Sequence, residues 1–150
     1  MDVDATLDAP CSAGDLFAWV ADLTTYPRWL EIVPRAEPDE SLAADIGPAW
    51  RVDLRGRIGP FARSKRLRMV RTVLHDPTEA IFERRERDGR AHSPWVLRAA
   101  VEPTDEGSRL RMHLHYGGGL WGPVVERLLG DEIERSRPRL LACVAGGPPG

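Results

Sequence analysis

Leu110, Met112, Leu114 and Tyr116 alternate with Arg109, Arg111, His113 and His115, so on an extended chain they stand on one side. The stripe ends on a phenol. Such a group can orient a ligand or carry a proton while its ring stays in an apolar wall, or it can bond a nearby backbone carbonyl. Arg84 shares its parity with Phe82. If that face is the inner one, the guanidinium can bind a carboxylate or an enolate oxygen; otherwise it is a rim or surface arginine, because an unpaired buried cation is costly. Tyr116, as donor or acceptor of a proton, and Arg84, as enolate stabiliser, are the two catalytic candidates.

Other chemistries find weaker footing. His113 and His115 lie two apart on one face, and His92 is expected on the neighbouring strand. Three imidazoles can ligate zinc, but Arg98, Arg109 and Arg111 share that face and repel a cation. The reading is a solvated His–Arg surface, with no metal and no cofactor. Cys11 sits at a strand–helix junction, where a thiol pKa can fall, yet no histidine is near it in sequence. Cys11 and Cys143 read as reduced thiols, consistent with a cytoplasmic chain. There is no Gly-x-Ser-x-Gly elbow, no P-loop and no dinucleotide fingerprint. The segment 51–71 is rich in arginine, but aromatic residues are not interleaved on its outer face and the chain carries net charge −2. It reads as a solvated sheet face opposite the acidic residues 1–45, not as a nucleic-acid surface.

These residues need elements to hold them. Val3, Ala5 and Leu7 alternate with acids and Thr6, a strand with one wet face ended by Ala9-Pro10. Ser12, three before Asp15, starts a helix whose stripe is Leu16, Phe17, Val20 and Leu23. Thr24 or Thr25 then caps a second short helix with Pro27 in its first turn, and Trp29, Ile32 and Val33 give it a bulky apolar side. Trp50, Val52 and Leu54 alternate up to a turn or bend at Gly56 to Pro60; Leu67 and Met69 alternate until the phase slips past Val70, which suggests a bulge. Ala80 to Arg87 is a strand, with a hairpin turn at Asp88-Gly89. Trp95, Leu97, Ala99 and Val101 form the inner face of the next strand and partner the 110–116 stripe. After Gly117-Gly118-Gly119 comes a long helix entered at Gly122-Pro123, which Pro138 should kink or split.

The order strand, helix, short helix, strands, long helix resembles the START-like or helix-grip superfamily (SRPBCC), and within it the polyketide cyclase/dehydrase-like group. The resemblance rests on Val3 to Pro10, on Leu16-Phe17 to Asp22, on Pro27-x-Trp29 and on the C-terminal helix. It implies an α+β fold: a curved antiparallel sheet of six to seven strands wrapped around a long C-terminal helix, with two short helices after the first strand. It implies one domain over 1–145; the glycines and prolines of 146–150 read as a flexible tail.

The resemblance also implies an apolar pocket between sheet and helix. Its expected walls are Trp29, Trp50, Phe82, Trp95, Leu97, Leu110, Met112, Leu114, Tyr116 and Trp121, each of which can instead simply fill a core. Trp121, just past three glycines, is either a gate or an anchor of the helix. The expected function is binding of a small lipophilic or aromatic molecule. The alternative is cyclisation or dehydration of a polyketide-like substrate in the same cavity. The expected partner is such a small molecule, and the chain itself a monomer or homodimer. No apolar run approaches a membrane span.

Overall fold

The computed structural model describes residues 1–58, 60–117 and 122–150. Seven strands run in chain order: β1 (Asp2–Ala9), β2 (Arg35–Asp39), β3 (Ala49–Ile58), β4 (Phe61–His75), β5 (Glu79–Arg84), β6 (Trp95–Thr104) and β7 (Gly107–Tyr116). Between β1 and β2 lie a short helix, α1 (Ala13–Phe17), and a 3₁₀ helix (Leu23–Arg28); α2 (Gly122–Ala145) closes the chain. The strands form one curved antiparallel sheet in the order β1-β7-β6-β5-β4-β3-β2, the expected architecture. Consecutive strands are neighbours except at one place: β1 pairs with β7, Val3 facing Leu114 and Leu7 facing Leu110.

Local chemistry explains most element ends and corrects several expectations. Ser12 caps α1, its hydroxyl accepting from Asp15 N at 3.1 Å. The 3₁₀ helix is capped by Asp22, which accepts from Thr24 N at 2.8 Å, and not by Thr24 or Thr25. A carboxylate is the stronger acceptor and stands ahead of both threonines, so Pro27 falls near the end of the turn instead of its start. β3 does not turn at Gly56 but runs on to Ile58. A Cβ at Gly56 would lie 2.9 Å from Leu128 Cδ2, so the glycine lets α2 approach the sheet. β4 shifts register between Arg71 and Val73, where the alternation slips. β5 ends at Arg84, and Asp88-Gly89 sits inside a longer connection instead of a tight hairpin. Pro138 does not split α2. Pro138 and Glu134, whose carbonyl loses its amide partner, both face solvent, where water replaces the bond.

The concave face is covered in two ways. Over one part, α1 and the turns after it press Leu16, Trp19, Val20 and Tyr26 onto Phe82, Ala80 and Ala99, all of them buried. Tyr26 and Trp50 both meet Phe82 edge-on, with centroids at 6.4 and 5.7 Å. The polar tips are satisfied: Tyr26 OH donates to Val20 O at 2.9 Å and Trp50 Nε1 donates to Thr24 Oγ1 at 3.0 Å. Burial pushes the Tyr26 phenol up, out of reach of physiological titration. Over the other part lies α2.

The convex face is tied by ions. Arg68, buried, bonds Asp39 at 2.9 Å and Asp45 at 2.8 Å and also reaches the carbonyls of Glu40 and Arg85. Its guanidinium holds both carboxyls below the usual range. At the β1–β7 edge, His113 bonds Asp4 at 2.7 Å and Asp2 at 3.0 Å, and His115 bonds Asp2 at 3.0 Å.

Candidate functional site

Between α2 and the sheet lies a cavity of about 280 Å³. Its sheet wall follows from strand parity: Val3 and Ala5 from β1, Leu67 and Met69 from β4, Trp95 and Leu97 from β6, and Leu110, Met112, Leu114 and Tyr116 from β7. Trp29, after the 3₁₀ helix, joins the lining. Leu129, Ile133 and Leu140 of α2, spaced to share a helix face, form the opposite wall. Part of the space is left by a small residue of β1. Ala5 stands directly opposite Met112, where a large residue would fill the gap.

The polar groups of the lining fall into two sets. Those on α2 are already partnered. Glu132, buried, accepts from Ile32 N at 3.1 Å and from Arg135 at 2.8 Å, and Ser136 Oγ donates to Ile133 O at 2.7 Å. Three on the sheet gather at Trp95. The Tyr116 ring stacks on Trp95 with centroids 5.1 Å apart, and its hydroxyl meets the sulfur of Met1. The Trp95 indole N–H is buried and has no partner among the described residues. Lys65 Nζ lies over the same ring, 5.7 Å from its centroid. Burial, and secondarily the nearby Arg84 guanidinium, holds the Lys65 ammonium below the usual lysine range, with Glu86 acting in the opposite sense.

Residues 1–142 match the family model described as polyketide cyclase / dehydrase and lipid transport. The chain belongs to that family. No curated protein matches it in sequence. Among solved structures, a START superfamily protein from Mycobacterium smegmatis is 19% identical with a TM-score of 0.68, covering 97% of each chain. The protein TTHA0849 from Thermus thermophilus is 17% identical with a TM-score of 0.68, covering 97% of this chain and 98% of that one. The di-domain ARO/CYC StfQ from the steffimycin biosynthetic pathway is 14% identical with a TM-score of 0.69; the match covers 97% of this chain but 51% of that one. At these identities the likeness concerns the fold alone.

The residues singled out from sequence part company. Trp29, Trp95, Leu97, Leu110, Met112, Leu114 and Tyr116 meet around the cavity. Trp50 and Phe82 have the right parity but stand under the 3₁₀ helix, where aromatic contacts fill the space, and they take no part in the lining. Trp121, with Gly118 and Gly119 of the suggested gate, lies outside the described residues. Gly117 N donates to Pro94 O at 2.8 Å, and a Cβ there would lie 2.7 Å from the Pro94 ring, so this glycine marks a close approach.

Arg84 does not reach into the cavity. Its Nε bonds Glu86 at 2.9 Å and its Nη1 bonds Ser93 at 3.3 Å, in a separate recess beside the 85–94 connection. A carboxylate two residues away claims the guanidinium, which leaves the rim alternative. Sequence reasoning passed over Lys65 and Arg63. Their signal was parity: both share the face of Leu67 and Met69.

Proposed function

We propose that this domain binds a small lipophilic or aromatic molecule in the cavity beneath α2. One observation carries the reading: the space is walled from both sheet and helix chiefly by apolar side chains, while the buried Trp95 N–H, without a partner among the described residues, and the Lys65 ammonium over its ring stand together on the sheet side. That is the usual build of a small-molecule site. Membership of a family described by polyketide chemistry and lipid transport supports the same class of ligand. No helix among the described residues is long and apolar enough to cross a membrane.

Turnover is the second reading, cyclisation or dehydration of a polyketide-like substrate. Tyr116 at the cavity wall favours it, whereas Arg84, engaged elsewhere, cannot serve as its enolate partner without breaking the Glu86 pair. Titration with N-phenyl-1-naphthylamine tests the binding reading. Saturable fluorescence that Met112→Trp weakens more than about ten-fold is the expected result. Unchanged binding in that variant would move the site elsewhere. Native mass spectrometry of the freshly purified protein identifies any co-purifying class of molecule, and incubation with that molecule separates binding from turnover.

A further inference from the structure

The inner face of β4 changes character along its length. Arg63, Lys65, Leu67 and Met69 share that face, opposite Gly56, Leu54, Val52 and Trp50 of β3. Arg63 is exposed, Lys65 half-buried, and Leu67 and Met69 buried. One strand thus runs from solvent, through a cation, into the apolar interior.

Lys65 differs from several outward-facing cations of the sheet. Arg66 has Asp53 at 2.8 Å, Arg109 has Asp8 at 2.7 Å, and Arg98 has Glu79. Lys65 has no carboxylate within 4.0 Å among the described residues. Glu86 acts on it through space, but its Oε1 already accepts from Arg84 Nε and from Arg68 N. The contact Lys65 does make is with the Trp95 ring, whose own N–H is buried without a partner among the described residues. Two donors on one cavity wall therefore share a lack of acceptors, and both have been partly stripped of water. Leaving such groups unmade is costly, and a charged acceptor satisfies them best.

We propose that the molecule held here is an amphipathic carboxylic acid, with Lys65 receiving its carboxylate and the apolar cavity its hydrocarbon or aromatic body. This rests on the binding reading above and adds the chemistry of the ligand's head. Glu132 sets the orientation. It is a buried carboxylate on the α2 wall, already satisfied by Ile32 N and Arg135, and its charge disfavours an acid head on that side. The head therefore lies against β4 and β6.

The test uses the full chain, with N-phenyl-1-naphthylamine as reporter and two competitors: 1-naphthaleneacetate and its methyl ester. The acid should displace the reporter about ten-fold more tightly than the ester, the worth of one charge-assisted hydrogen bond. Lys65→Met keeps the aliphatic stem and should erase the difference while ester binding stays. Lys65→Arg keeps the charge and should keep the difference, as should Arg66→Gln on the opposite face. Equal binding of acid and ester to the wild-type protein would overturn the proposal and leave the cavity reading standing. So would a difference that survives in Lys65→Met. Failure of the reporter itself to bind a folded protein would sink both.

Discussion

The two parts of the concave face obey different rules although the same sheet supplies both. Beneath α1 and the 3₁₀ helix, Phe82 is touched edge-on by Tyr26 and Trp50, Ala80 of β5 faces Ala99 of β6, and both Tyr26 and Trp50 find acceptors for their polar tips. Beneath α2, Met112 faces Ala5, Leu97 faces Leu114, and a cavity remains. The first part takes its large side chains from both covering helix and sheet. The second has large side chains on both walls too, but Leu129, Ile133 and Leu140 of α2 face the sheet across the space. One part is filled and the other leaves space.

Matched substitutions can break that contrast. Phe82→Ala should cost about 3–5 kcal/mol, because neighbours fixed on two elements cannot collapse into the void. Met112→Ala, whose side chain already borders empty space, should cost about 1 kcal/mol. Urea unfolding that gives equal losses would show the two parts to be alike. Enlargement should show the same asymmetry. Ala99→Leu overpacks the filled part and should cost about 1–3 kcal/mol, while Met112→Trp should leave stability nearly unchanged and reduce reporter affinity more than about ten-fold.

A smaller effect belongs to the convex face. The Asp4 and Asp2 hydrogen bonds raise the His113 pKa in the folded protein. Its contribution is therefore complete below the unfolded histidine value, about pH 6.5, and is lost as pH rises through the folded one. Asp2, lowered chiefly by His115, loses its contribution in the opposite direction, as pH falls below the carboxylate range. Melting temperature should fall between about pH 6 and pH 8 in the wild type and fall less in His113→Gln, with reporter binding the same in both. The smallest change is expected from Tyr116→Phe. A thioether is a weak acceptor, so stability should move by no more than about 0.5 kcal/mol. Affinity for carbonyl-bearing ligands should weaken relative to naphthalene, as competition assays would show.

Parity carried most of the fold into view. The alternation in 95–101 and 110–116 corresponds to β6 and β7, and its slip past Val70 to the register shift in β4. β2 stayed hidden because Pro38 argues against a strand; at the sheet edge its missing N–H costs no ladder bond. Parity assigns a face and says nothing of position along it. That is why Trp50 and Phe82 look like cavity residues and are not, and why Arg84 is a candidate for a site it does not reach. Lys65 was overlooked for the converse reason: in an arginine-rich stretch, only the strand's phase separates an inward cation from outward ones.

The pairing of β1 with β7 has a consequence for how the protein is made. His113 and Asp2 are bonded across 111 positions of sequence. At ordinary rates of synthesis, the first strand waits about 5–20 s for the last to leave the ribosome. During that interval Val3 and Ala5 have no wall to complete, and β1 is an unpaired edge in a crowded cell. The acids that alternate along it, Asp2, Asp4 and Asp8, keep other chains from docking there. They then find His113, His115 and Arg109 when β7 arrives. The chamber is thus sealed only when β7 arrives, by charges that first served to keep β1 apart.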